Sequence, residues 1–268
     1  MFIQQRIFIY REYNLFKDIM ARPENQTELF YTEKGLVAVD SPVKLKILNL
    51  LKEDSRSFDE IVRHTAKAKS TISVHLNKLR ARELVEEQVD LADRRRKTYY
   101  LTCQYLGCSR KPALENYNRV LEQIASTRNM DHFFFMESLL HALCFGCEAY
   151  GLDNAPIIKK IGDDIGGKLA LKFRAEDPLE LLREVVSFFE LQGKGSLLKK
   201  DPLSVEIKDP FKEESMLSTG KTLCVFEEGL IEGILKGKLG KEFRVKETEC
   251  YGTGHGHCLF TITAQNYE

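Results

Sequence analysis

The chain has no tryptophan, no net charge, and no apolar run near the roughly 20 residues that a membrane-spanning helix needs. Its first apolar stretch, MFIQQRIFIYREYNLF, is interrupted by Arg6, Arg11 and Glu12 and is followed by no small-residue cleavage site, so it makes a poor secretory signal. There is no nicotinamide fingerprint, no flavin motif and no nucleophile or acid–base constellation, which argues against an enzyme. The seven cysteines are odd in number, and a chain of 268 residues is not a small secreted domain, so a disulfide framework is not expected. The expectation is an intracellular, cytoplasmic protein without membrane contact. Its thiols would bind metal, sense redox state or fill apolar space.

The length suggests two ordinary domains, and the charges divide the same way. Residues 41–111 hold 16 Lys and Arg against 9 Asp and Glu, whereas residues 112–268 hold 19 against 25. A basic block joined to an acidic one suggests a nucleic-acid-binding module beside something else.

Within the basic block, SPVKLKILNLLKED predicts a helix with Ser41 as cap and Pro42 at its first position. SFDEIVRHT predicts a second helix, with capping-box spacing between Ser57 and Glu60. In KSTISVHLNKLRARELV, Ile72, Leu76 and Leu79 make one buried stripe of a third. VEEQVDLADRRRKTYYLT then predicts a β-hairpin with DRRRK at its tip. Three helices and a hairpin make a winged helix-turn-helix over residues 38–102. Between positions 61 and 82 there are six Lys or Arg and no acid, as suits a face lying on phosphates. Lys69, Arg94, Arg95, Arg96 and Lys97 are expected on the backbone of double-stranded operator DNA. Ser70, Thr71, Ser73, Val74 and Lys78 are expected at base edges. His75 is a weaker candidate, because it also fits a core position. The stretch KSTISVHLNKLRARELVE resembles the recognition helix of ArsR-type winged-helix repressors: a small polar pair, then SxHLxxL, then a hydrophobic pair leading into the wing.

Residues 1–37 are expected as an N-terminal extension that forms a further helix, with Met20 as a second candidate start. Residues 103–129 are expected as a linker carrying an amphipathic helix, PALENYNRVLEQIAST. Leu114, Tyr117, Leu121 and Ile124 share one face of it. Such a face serves a packed linker or a homodimer, and the homodimer is favoured because winged-helix regulators meet paired half-sites.

From residue 130 to 268 the pattern predicts an α+β domain. MESLLHALCFGCEAYG reads as a buried helix, and NAPIIKKIGDDIGGKLALKF and PLELLREVVSFFELQGKG as two more. LSVEIKDPF reads as a strand, TLCVFEEGLIEGILKGKLG as a helix broken by glycines, and FRVKETECY and CLFTITAQ as closing strands. The fold class expected is therefore α+β in two domains. This order, ending in KETECYGTGHGHCLFTI, resembles the 4-vinyl-reductase domain, whose members bind small molecules and serve some regulators as sensors. The combination with a winged helix resembles the redox-sensitive MsvR regulators of methanogenic archaea.

Cys250 and Cys258 flank a glycine-rich loop able to turn both sulfurs to one point. On the residues alone, zinc and a free-thiol hairpin are equal readings. Glu247 and Glu249 fall on the strand face opposite Cys250, so a bulge would be needed to bring Glu247 in. Phenol-sensing regulators with this domain hold zinc by one cysteine, a glutamate and two cysteines, in an order and spacing that Cys224, Glu247, Cys250 and Cys258 resemble. The resemblance implies one structural zinc per chain on these four, with His255 and His257 as rivals or outer neighbours. It does not imply the same ligand, because the phenol pocket of those sensors uses a tryptophan.

HALCFGC places His141, Cys144 and Cys147 together; core packing and a redox pair weigh equally there. Cys103 and Cys108, just after the wing, are further redox candidates. Tyr150, Phe188 and Phe189 are candidates for lining a pocket for a small hydrophobic ligand. The function expected is a DNA-binding regulator that senses redox state through thiols. A sensor of a small apolar molecule is the alternative, and an enzyme or an assembly scaffold is less favoured.

Overall fold

The computed structural model describes residues 26–89, 97–128, 131–191, 195–209, 220 and 222–265. Two compact units divide it: Met1–Lys111 with Gly151–Asp153, and Pro112–Tyr150 with Asn154–Glu268. Both mix helices with antiparallel strands.

The first unit opens on a hairpin, β1 (Glu28–Thr32) and β2 (Gly35–Val39). Residues 28–37 are thus strand and turn rather than the helix expected. ELFYT buries alternate residues, the period of a strand, and Gly35 turns the chain at φ +109°, a value that favours glycine. Residues 1–25 lie outside the described residues. Next come α1 (Pro42–Glu53), β3 (Arg56–Ser57), α2 (Phe58–Thr65), α3 (Lys69–Ala81), β4 (Val85–Val89), β5 (Lys97–Leu101) and β6 (Gln104–Ser109). Ser41 stands at the α1 N-cap without a side-chain hydrogen bond, whereas Ser57 and Glu60 form the full capping box of α2. Ile72, Leu76 and Leu79 of α3 are buried against Ile47, Leu48 and Ile61. Sheet order β3-β5-β4 makes the wing. Its tip, residues 90–96, lies outside the described residues.

The stretch after the wing is a strand before it becomes a helix. β6 pairs with β1 on one side and with β7 (Leu152–Asp153) on the other, giving the order β2-β1-β6-β7. A buried ion pair fastens this sheet to α1: Lys52 Nζ lies 2.7 Å from Glu28 Oε2 and 3.6 Å from the centre of the Tyr105 ring. Removing one partner leaves the other charge buried. Glu28→Ala is therefore expected to cost the first unit about 3–5 kcal/mol in a urea titration. A change within error would show that Lys52 reaches solvent.

The second unit holds α4 (Leu114–Ser126), α5 (His132–Ala149), α6 (Ala155–Leu169), α7 (Pro178–Leu191), β8 (Gly195–Lys200), β9 (Leu203–Lys208), α8 (Val225–Leu239), β10 (Phe243–Glu249) and β11 (Cys258–Ala264). Its sheet runs β10-β11-β9-β8 and packs on Leu181, Leu182 and Val185 of α7 and on Ile231, Ile234 and Leu235 of α8.

Two expectations are corrected here. The glycines do not break α8, which runs unbroken for 15 residues. They let its backbone meet that of α6: a Cβ on Gly229 would stand 2.0 Å from the Lys159 carbonyl oxygen, and one on Gly162 2.3 Å from that of Phe226. The second correction is α5, which is not a wholly buried helix. Phe135, Met136, Leu139, Leu140 and Leu143 are exposed.

Candidate metal centre and nucleic-acid interface

The recognition face of α3 is open. Lys69, Ser70, Thr71, Ser73, Val74 and Lys78 are all exposed, Val74 at 51%. Lys69 pairs with Asp59 at 2.7 Å, which holds the Asp59 carboxyl below its ordinary range. His75 is half-buried. Burial, with Lys44 and Lys78 nearby, lowers its pKa and keeps it neutral. Its Nδ1 is buried without a hydrogen-bond partner, so it behaves as an inward-facing residue more than a phosphate contact. Lys97 opens β5 and pairs with Glu87 at 3.1 Å. Arg94, Arg95 and Arg96 lie outside the described residues.

In the second unit three elements end at one point. Cys224 is the N-cap of α8, Cys250 follows the last residue of β10, and Cys258 is the first residue of β11. Between the last two, a 3-10 turn, Tyr251–Thr253, ends at Gly254 with φ +89°. The sulfur separations are 3.5 Å for Cys224 and Cys258, 3.9 Å for Cys258 and Cys250, and 4.0 Å for Cys224 and Cys250. A tetrahedral zinc with Zn–S of about 2.3 Å sets sulfurs about 3.8 Å apart, so the three thiols already stand at ligand spacing.

Glu247 completes the group: its carboxylate and the three sulfurs lie within 4.8 Å of one another, all four residues buried. The bulge required on the sequence pattern is present, as a register shift between Glu247 and Glu249 where β10 pairs with β11. Glu247 Oε2 accepts the backbone N–H groups of Leu223 and Cys224 at 3.1 and 3.0 Å, while Oε1 is buried without a hydrogen-bond partner. An unsatisfied buried carboxylate oxygen beside three thiols is costly in the metal-free chain and fits a cation. Burial, then the neighbouring Cys224, push the Glu247 carboxyl up to about 9. Hydrogen bonds from Cys224 and Cys258 pull the Cys250 thiol well down, against burial. The residues fit zinc. Bound there, it would supply a structural cross-link between α8, β10 and β11, since four protein ligands leave no open position.

The histidines stand outside this group. His257 Nε2 pairs with Glu249 at 2.8 Å, and His255 Nδ1 bonds Thr253 Oγ1 at 3.0 Å. The redox candidates are dispersed. Cys103 and Cys108 are buried in the first unit, the former donating to the Leu84 carbonyl at 3.3 Å, the latter raised in pKa by burial. Cys144 and Cys147 are half-buried on α5, and burial pushes Cys144 up to about 11, so it is a protonated thiol at neutral pH. Of the pocket candidates, Phe188 and Phe189 meet with ring centroids 5.8 Å apart, and Tyr150 stands away from them. Phe188 and Phe173 line an open groove of about 470 Å³ with Lys172, Arg174 and Arg183. Phe189 is in the core, and Tyr150 is exposed with its ring edge-on to Tyr117.

Sequence reasoning missed Lys159, Glu228 and Glu232, which join α6 and α8 to the backbone of β10 beside Glu247. The i,i+4 spacing of two glutamates in a glycine-rich helix was the only signal.

Fold and site define a winged-helix protein with a second, thiol-bearing α+β domain. Residues 41–87 match the bacterial regulatory protein family arsR, and residues 203–264 match the 4-vinyl-reductase domain. More particularly, then, the chain joins an ArsR-type helix-turn-helix, the DNA-binding module of a regulator, to a 4-vinyl-reductase domain. MJ0150 of Methanocaldococcus jannaschii is 29% identical over 136 residues, spanning 48% of this chain and 76% of that protein. MJ1642 of the same organism is 25% identical over 114 residues, spanning 42% and 66%. Among solved structures, a vinyl-4-reductase family protein from M. jannaschii aligns with TM-score 0.37 and 18% identity, over 57% of this chain and 92% of that one. Among the described residues no helix is long and apolar enough to cross a membrane.

Proposed function

We propose that the protein is a homodimeric, cytoplasmic transcription regulator, not an enzyme. Its α3 face and wing bind operator DNA, and its second domain responds to thiol redox state. The observation that carries the redox reading is the trio of buried sulfurs at 3.5–4.0 Å. Hydrogen peroxide would oxidise two of these thiols to one disulfide, itself taking the two electrons and two protons to become two molecules of water, and the centre would then lack two of the ligands that would hold a cation. The lowered pKa of Cys250 supports this site over Cys144 and Cys108, because the thiolate is the reactive form. The second reading is an apolar ligand, for which Phe173 and Phe188 offer ring faces in a groove otherwise lined by charged and polar side chains.

The test is binding to DNA upstream of the protein's own gene, with and without dithiothreitol, with zinc measured on the same samples. Reductant-dependent binding with zinc loss on oxidation supports the proposal. Reductant-dependent binding at constant zinc moves the switch to Cys144 and Cys147 or to Cys103 and Cys108. Specific binding indifferent to reductant favours the ligand reading. No specific binding removes self-regulation and leaves other operators and the scaffold.

A second copy would pack on α5 and α4. Met136, Leu139, Leu140 and Leu143 recur at helical spacing on α5, and Leu114 and Leu121 are exposed on α4. A soluble monomer rarely exposes so continuous an apolar stripe, and paired half-sites need a two-fold partner. Leu139→Glu with Leu143→Glu is expected to yield monomers in sedimentation velocity. A dimer that survives both changes would place the interface elsewhere.

A further inference from the structure

Among the described residues, β10 is an edge strand. Two of its N–H groups, those of Val245 and Glu247, therefore have no strand to pair with. Both are taken by α8: Glu232 Oε1 accepts from Val245 N at 2.8 Å, and Glu228 Oε1 accepts from Glu247 N at 2.8 Å. The spacings match. Two acceptors at i,i+4 on a helix are about 6 Å apart along the axis. Two N–H groups at i,i+2 on a strand are about 6.8 Å apart.

Two carboxylates one turn apart repel. Lys159 of α6 lies between them, with Nζ 3.2 Å from Glu228 Oε2 and 2.9 Å from Glu232 Oε1. It reaches them because its own carbonyl lies against Gly229, where a side chain would not fit. All three charged side chains are mostly buried.

We infer that Glu228, held by Lys159, is a positioning residue for the metal centre: it fixes the Glu247 backbone and so aims the carboxylate at the three thiols. The inference rests on the reading of the quartet as a metal site. Glu247 hangs from two anchors, its carboxylate on the N–H groups of Leu223 and Cys224 and its backbone on Glu228. On the β11 side Glu247 is the last residue in regular register, opposite Phe260, before the shift, so the α8 contact holds its backbone where the regular ladder ends. Glu232 caps the same edge two residues further from the ligand. It should stabilise the strand equally without aiming the carboxylate.

The experiment compares Glu228→Ala, Glu232→Ala and Lys159→Met in the full chain. Metal-free stability is read in urea, zinc affinity by chelator competition, and the ligand set from the visible spectrum of the cobalt(II) form. Glu228→Ala is expected to weaken zinc about 10–100-fold and to shift the cobalt d–d bands as the carboxylate leaves. Glu232→Ala is expected to lose comparable stability yet keep the wild-type cobalt spectrum. If Glu228→Ala does not fold, Lys159→Met is read instead: it strips Glu228 of its counter-charge, and the same spectral shift is expected. Superimposable cobalt spectra for all variants, or zinc losses that track stability equally at 228 and 232, would overturn the inference. A wild-type chain that takes up neither cobalt nor zinc would remove the metal reading itself and this inference with it.

Discussion

Zinc affinity is expected to fall by about ten-fold or more for each pH unit below neutrality, because the metal-free centre holds at least one proton that metal ligation must displace. Glu247 holds one, since burial keeps its carboxyl protonated up to about 9. Cys250 itself is already a thiolate, so it adds nothing to the slope near neutrality. The sign follows from competition: lowering the pH raises the concentration of the displaced species and weakens binding. Competition titrations at three pH values between 6 and 8 read the slope directly. A slope of one or more supports Glu247 as a ligand. A slope of zero would mean that its proton is not displaced and that it does not ligate.

Gly229→Ala is expected to destabilise the second unit by about 3 kcal/mol or more, at the upper end of overpacking penalties. Helix propensity alone gives the opposite sign, because alanine in a helix interior is favoured over glycine by about 1 kcal/mol. The contact decides. The added Cβ would stand 2.0 Å from the Lys159 carbonyl oxygen, a backbone atom that cannot rotate aside, so the helices must separate. Gly233→Ala meets the Asp163 carbonyl at 2.1 Å and should behave alike. Gly167→Ala is the control: its nearest neighbour would be 3.9 Å away, so propensity should prevail and stability should hold or rise. Urea titrations of the three variants check the ordering. Equal effects at 167 and 229 would show that the helix pair has slack. Because α8 carries Cys224 at its N-cap, separation of the helices is also expected to weaken zinc uptake.

The winged helix was legible from residues because its signals are local. Capping-box spacing, one apolar stripe per helix and a charged hairpin tip each span fewer than twenty residues, and α1, α2, α3, β4 and β5 follow them. The first hairpin was missed because ELFYT and GLVAV are short, and the pairing of ELFYT with β6 joins residues far apart in sequence. The glycines of α8 were misread for a related reason. A glycine weakens an isolated helix, and only the approach of α6 turns the lack of a side chain into a contact.

Residue order alone therefore determined the basic winged-helix module, the α+β class of the second domain and three cysteines at the ends of its elements, since local propensity and period carry that information. Only the tertiary structure decided that Glu247 faces the thiols while Glu249 does not, that His255 and His257 stand aside, and that Lys159 with Glu228 and Glu232 holds the strand edge. Those outcomes depend on a bulge, a close helix approach and buried charges, which arise from contacts between distant segments and leave no period in the chain.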